Sequence, residues 1–252
     1  MGPMAPYHLE LEDHVARLSL DAGKANALDP TSLAALERGL IEAEDRHARG
    51  LVITGAGRFF SAGLNIPLLY QFDRMQMSEC MRKFREVMLR VLRFPGRTVA
   101  AINGHAIAGG AILACACDLR VAARGDYRVG VSEVALGIGL PRVALEVLRR
   151  ALPERTLEEV VLGGNLYSPE QAKDMGLLHD LVSGDVLQAI AHERAARFAH
   201  APFTTLRQVK HELVAPTVER VLRGGEDQEW LDTWFSEDAR RLLAGVVARL
   251  SA

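Results

Sequence analysis

Two stretches of small residues and one glutamate carry the chemistry that can be read from this chain. Residues 53–65, ITGAGRFFSAGLN, and residues 101–113, AINGHAIAGGAIL, each run from an apolar segment into a turn of Gly, Ala and Ser. Turns of this kind can aim bare backbone N–H groups at one spot. Two N–H groups converging on a carbonyl oxygen stabilise the negative charge that develops there, and losing one such donor costs about a hundred- to a thousand-fold in rate. The plainer reading of either stretch is tight strand–helix packing with no ligand. The Gly109-Gly110 pair opens an apolar run, although glycine costs roughly 1 kcal/mol against alanine inside a helix, so bare backbone must serve some purpose there. The third stretch, residues 127–141, YRVGVSEVALGIGLP, sets Glu133 among Val129, Val131, Val134, Leu136 and Ile138. A carboxylate in such company is rarely buried without a task. Desolvation lifts its pKa from the reference of about 4.3 toward neutrality, which suits a proton carrier. A helix cap or a pairing with an arginine is the structural alternative.

Other motifs fail on inspection. GAGRFF begins like a dinucleotide fingerprint, but Phe60 stands where the third glycine belongs. FFSAG approaches a nucleophile elbow, but Phe59 replaces its first glycine, which disfavours Ser61 as a nucleophile. No phosphate-loop or His-Glu-x-x-His pattern occurs. His105 reads as a satisfied loop histidine and Asp118 as structural.

These stretches need strands and helices to hold them. ARLSL (16–20) alternates like a half-buried strand, while GLVITG, TVAAING and DLRVAA read as buried strands. Asp29 and Pro30 open a helix through Glu44, with Leu33, Leu36 and Leu40 on one face. Residues 71–96 form a long amphipathic helix ended by Pro95-Gly96, with a stripe of Phe72, Met75, Met81, Phe84, Met88 and Val91. Met75, Met77 and Met81 are expected in the core. Ser168, Pro169 and Gln171 spell a capping box, and GLLHDLV offers a last short strand. Strands alternating with helices imply an α/β architecture. From Pro202 onward only helical patterns remain, with Trp230 and Trp234 on one buried or intersubunit face. The expected organisation is a core over residues 1–200 and a helical segment over 201–252.

Composition narrows the function. The chain has 252 residues, 49% of them hydrophobic, enough for one full core. Thirty basic and 32 acidic residues give a formal charge of −2, with no polybasic block, so neither nucleic acid nor a membrane is an expected partner. No apolar run approaches the ~20 residues of a membrane span. The start, MGPMAPYHLE, lacks the basic and apolar regions of a secretion signal. Cys80, Cys115 and Cys117 have no paired spacing, which argues against a disulfide frame or zinc site and for core packing in a reducing, cytoplasmic setting.

In their order and spacing, FFSAGLN, INGHAIAGG and SEVALGIGLP, together with GKANALD near the start, resemble the crotonase (enoyl-CoA hydratase/isomerase) superfamily over most of residues 7–200. The resemblance implies a spiral of ββα turns, a C-terminal helical segment used in trimer contacts, and an acyl-CoA thioester ligand. The implied assembly is a homotrimer or a hexamer. By position it makes Ala62 and Gly109 the two oxyanion donors, with the Gly109-Gly110 backbone bare because a thioester carbonyl lies against it. Lys24, Ala25, Leu64, Asn65, Ile66 and Gly110 fall on substrate- and CoA-binding positions. The family often has Asp where Asn65 stands. Hydratases of the family carry one glutamate at the position of Glu133 and another three residues beyond the oxyanion glycine, where this chain has Ile112. One carboxylate suffices to move a proton between two carbons of a bound allyl system, so the pattern is closest to the Δ3,Δ2-enoyl-CoA isomerases, with Glu133 as the catalytic group. No metal or separate cofactor is implied, since CoA belongs to the substrate. A hydratase or thioester hydrolase remains the alternative if Asp73, Glu79 or Glu86 supplies a second acid–base group. A non-catalytic acyl-CoA binder is the third reading.

Overall fold

Alternating exposure along β1 (Tyr7–Glu12) and near-complete burial of β2 (Val15–Leu20) set up an antiparallel pair at one sheet edge. The computed structural model describes residues 7–23, 25–197, 199, 202–225 and 227–251, so Lys24 and the first six residues lie outside the described part. Helix α1 (Pro30–Asp45) starts as expected: Asp29 accepts from the Thr31 and Ser32 N–H groups, and Pro30 takes the first turn.

The chain then repeats one unit three times, a strand, a short strand and a helix. The first unit is β3 (Gly50–Gly55), β4 (Phe59–Ser61), the short helix α2 (Ile66–Leu69) and α3 (Arg74–Arg93). The second is β5 (Arg97–Ile102), β6 (His105–Ile107) and α4 (Gly109–Ala116). The third is β7 (Leu119–Ala123), β8 (Val129–Gly130), a 3-10 turn at Val134–Leu136 and α5 (Arg142–Ala151). There follow α6 (Glu154–Gly163), β9 (Leu166–Tyr167), α7 (Pro169–Asp174), β10 (Asp180–Val182) and α8 (Leu187–Ala196). Three helices end the chain, α9 (Phe203–Arg223), α10 (Gln228–Trp234) and α11 (Glu237–Ser251).

Each repeat adds one strand to each of two sheets. One sheet runs β1-β2-β3-β5-β7-β10 and the other β4-β6-β8-β9. Apart from the β1–β2 and β8–β9 pairs the strands are parallel. The result is the expected ββα spiral. Between the layers lies one large hydrophobic cluster; α8 covers a smaller one on the other face of the six-stranded sheet, around Val15, Val52, Val99 and Val121.

The C-terminal helices are part of the large cluster rather than a separate body, through Val214, Val218, Val221, Trp230, Trp234 and Leu243. A buried ion pair anchors α9. Lys210 Nζ donates to Asp118 and to the Gly96 carbonyl, both at 2.7 Å, and Asp118 also accepts from the Thr98 N–H and hydroxyl. Asp118 is thus structural, as expected. All three cysteines are free and buried.

Met75 departs from expectation: it is 77% exposed, whereas Met77 and Met81 are buried. The helix begins only at Arg74, and its inner face runs through Met77, Met81, Phe84, Met88 and Val91. At 100° per residue, Met75 falls opposite that face. Among the described residues, no helix is long and apolar enough to cross a membrane.

Candidate active site

The small sheet brings the three chemistry-bearing stretches together. Ser61 pairs with Ala106, and Ile107 pairs with Gly130, so the carboxyl ends of β4, β6 and β8 stand side by side. In open parallel sheets, ligands bind in the crevice at those ends. Each strand opens there into one stretch: Ala62–Leu64, Ala108–Gly109 and Val131–Glu133.

Gly109 is the first residue of α4, so its N–H has no partner within the helix. It points out at the positive end of the helix dipole. Ala108 before it has φ +53° and ψ −124°, a conformation L-residues rarely adopt. Strain of this kind costs on the order of 1–3 kcal/mol and persists where the surroundings impose it. Here the Ala108 N–H is tied to the Gly130 carbonyl at 2.8 Å, and its own carbonyl accepts from Ile112 at 3.1 Å. The turn is therefore held from both sides, which fixes the direction of the Gly109 N–H.

The expected second donor, Ala62, is corrected. Its N–H is already given to the Ala25 carbonyl at 3.0 Å. The group that is free lies two residues on. Leu28 uses its own N–H and C=O to bond Gly63 and Asn65, at 2.7 and 2.9 Å. In a parallel bridge of that kind the opposing residue, Leu64, turns its N–H to the other side. Gly63, at φ +81°, packs against the second turn: a Cβ there would stand 2.8 Å from Gly109 N. The Leu64 N–H thus leaves the backbone one residue from that contact. Neither Leu64 nor Gly109 donates its N–H to a protein acceptor among the described residues. Sequence reading missed Gly63, whose positive φ and contact with Gly109 only the fold reveals.

Gly110 is also corrected. A Cβ on it would collide with the Ser61 carbonyl, so it is bare because β4 packs there, not because of a ligand. A Cβ on Gly109 would meet Gly63, Leu28 and Phe84 at 3.4–3.6 Å, ordinary contact on the inner side.

Glu133 ends the third stretch, 8% exposed. Neither structural alternative holds. Its side chain caps no helix, and it forms no ion pair among the described residues. Its Oε2 is buried without a hydrogen-bond partner. Burial pushes its carboxyl up to about 7, held back only by the nearby N–H groups of its own residue and Ser132. Its backbone carbonyl accepts from Leu136 and Ile138, at 2.9 and 3.1 Å, which fixes the turn that carries it. Helix α10 secures the following residues: Thr233 Oγ1 accepts from the Gly139 N–H and Trp230 Nε1 donates to its carbonyl, both at 2.9 Å.

The remaining positions serve the frame. Asn65 caps α2 and donates to Asp29 at 3.0 Å, joining the starts of two helices. An aspartate in its place would set two carboxylates together, so the amide suits this frame. Asn26, also missed from sequence, is buried and donates to the Ala56 and Phe59 carbonyls, while the Ser61 hydroxyl donates to its own carbonyl. Ile66 opens α2 and Ile112 is buried in α4. His105 stacks on Phe59 at 4.8 Å, and its Nδ1 accepts the Arg128 N–H at 3.2 Å, a satisfied histidine. Asp73 caps α3, whereas Glu79 and Glu86 pair with Arg82 on its outer face. None of these three carboxylates joins Glu133.

A sequence model described as enoyl-CoA hydratase/isomerase matches residues 10–246. The (E)-benzylidenesuccinyl-CoA hydratase of Thauera aromatica is 31% identical over 83% of this chain and 82% of its own. A structure described as an enoyl-CoA isomerase of Mycobacterium tuberculosis superposes with a TM-score of 0.82 at 30% identity, covering 88% of this chain and 96% of that one. Human mitochondrial Δ3,Δ2-enoyl-CoA isomerase, at 24% identity, shares the fold with a TM-score of 0.92 over 98% of both chains.

Proposed function

This chain belongs to the enoyl-CoA hydratase/isomerase family, and within it we propose an isomerase that moves the double bond of a 3-enoyl-CoA into conjugation with its thioester. The observation that carries this reading is that Glu133 is a buried carboxylate at the three strand ends with no ion pair among the described residues, while position 112 in α4 holds a buried, apolar Ile112. In the proposed reaction the Leu64 and Gly109 N–H groups receive the thioester oxygen. Glu133 takes a proton from C2, and the electron pair moves into the thioester carbonyl to give a dienolate. The two N–H groups stabilise its oxygen. Charge spread along the dienolate reaches C4, so the protonated Glu133 returns its proton there, and the pair that collapses leaves the double bond between C2 and C3. Atoms and charge balance without water, metal or redox partner.

Adding water across a double bond asks for more: one group to activate the water while carbon is protonated. The second reading, a hydratase, is favoured by the hydratase relative. Supplying crotonyl-CoA and 3-hexenoyl-CoA in parallel separates the two. Conjugation of 3-hexenoyl-CoA with little hydration of crotonyl-CoA supports the isomerase, and rapid hydration of crotonyl-CoA overturns it.

A further inference from the structure

Ser61 ends β4 fully buried, three residues before Leu64. A hydroxyl has one proton to give and lone pairs to accept with. Here the proton goes to the Asn26 carbonyl at 2.7 Å, and the oxygen accepts the Gly63 N–H at 3.2 Å. Asn26 is itself held fast. It is 1% exposed, its amide donates to the Ala56 and Phe59 carbonyls at 3.0 and 2.9 Å, and its Oδ1 accepts the Ala22 N–H at 3.0 Å. The Ser61 hydroxyl therefore ties Gly63 to a fixed post. With its proton committed to Asn26, it is no nucleophile.

That tie bears on the peptide unit between Gly63 and Leu64. A trans peptide is planar, and its C=O and N–H point in opposite directions. The carbonyl of this unit, on Gly63, accepts the Leu28 N–H at 2.7 Å. The N–H of the same unit, on Leu64, consequently faces away from Leu28. The preceding unit, between Ala62 and Gly63, is held by Ser61 through the Gly63 N–H. Gly63 is the hinge between the two planes. It sits at φ +81°, and a Cβ there would stand 2.8 Å from both Gly109 N and the Ile107 carbonyl. No larger residue fits, so no side chain can stiffen a hinge that glycine leaves free to turn. The two hydrogen bonds must do so instead, one to each plane.

We propose that Ser61 is a positioning residue of the oxyanion site. Its hydroxyl clamps Gly63, so that the Leu64 N–H stays aimed at the thioester oxygen beside the Gly109 N–H. Ser61 itself touches no substrate. The inference rests on the acyl-CoA reading above and holds for isomerisation and hydration alike. Its physical basis is that a hydrogen bond weakens steeply as its donor swings out of line.

Infrared difference spectroscopy of bound hexanoyl-CoA, labelled with heavy carbon at the thioester carbonyl, tests it. This saturated ligand does not react, and its carbonyl stretch falls in frequency as hydrogen bonds to the oxygen strengthen. In the wild type the stretch should lie below its value in water. Ser61→Ala should lose about half of that shift and about tenfold in kcat, with hexanoyl-CoA affinity and KM within about threefold, because one of two donors is misaimed rather than removed. Ser61→Cys keeps the shape but hydrogen-bonds weakly. It should also lose part of the shift, and it carries the comparison should the Ala variant not fold. A lower melting temperature with stretch and kcat unchanged would mark a merely structural hydroxyl and overturn the proposal. A wild type that binds hexanoyl-CoA without lowering its stretch would overturn the oxyanion assignment and this inference with it.

Discussion

Glu133 shows how far a single residue is legible and where that ends. Its type and apolar neighbours announced a buried carboxylate, and the structure places it there. The oxyanion pair was only half legible. A motif marks a loop, but which N–H in the loop is free depends on what Leu28 and Ala25 take, and both contacts arise from pairing across the fold. Burial of Glu133 also has a measurable cost. Its pKa rises from an ordinary carboxylate value of about 4.5 to about 7 on folding. Below pH 4.5 both states are protonated and the site costs nothing. Between about 4.5 and 7 the unfolded chain ionises first, so stability falls as pH rises. Glu133→Gln should therefore raise the melting temperature at pH 8 by several degrees, with the difference vanishing toward pH 4 in paired thermal melts. In the wild type, kcat/KM for a 3-enoyl-CoA should climb through pH 7 as the base form appears.

At the level of elements, what could be read was what repeats or is capped. The strands of the large sheet are five or six residues long and mostly apolar in β2, β3, β5 and β7, and Asp29 and Ser168 cap their helices as their sequences announce. The small sheet escaped notice because β4, β6, β8 and β9 are two or three residues each, too short for any periodicity. Yet these strands position the site. The anchoring of α9 also lay beyond local reading, since Lys210 meets Asp118 across 92 residues of chain. Lys210→Met should destabilise the protein by about 2 kcal/mol, because it removes the nearer of the two cations on Asp118 and leaves Arg150 at 3.4 Å. Urea unfolding should show that loss at unchanged m-value, with kcat/KM nearly unaltered because neither residue touches the site.

For the molecule as a whole, the C-terminal helices do two things that composition cannot separate. Their inner face completes the core and holds the segment after Glu133. Their outer face leaves apolar residues in solvent: Leu213 on α9 is 66% exposed, and Val209 one turn earlier is 47% exposed. Aligned apolar residues at four-residue spacing form a patch that soluble chains usually cover. A homotrimer, or a hexamer of two trimers, is the assembly expected from the family resemblance, and we propose this face as one of its contacts. Light scattering at micromolar concentration should report three or six times the 27.5 kDa chain mass, and Val209→Asp with Leu213→Asp should shift it toward one. A wild type that is purely monomeric would contradict the assignment.

In the proposed reaction one carboxyl moves the proton from C2 to C4. That step is tested most directly by Glu133→Gln assayed with a 3-enoyl-CoA. The amide keeps the shape and removes the base, so kcat should fall about a hundred- to ten-thousand-fold, with CoA-thioester affinity nearly unchanged because the Leu64 and Gly109 N–H groups remain. Turnover by the wild type together with an unimpaired Gln variant would contradict it.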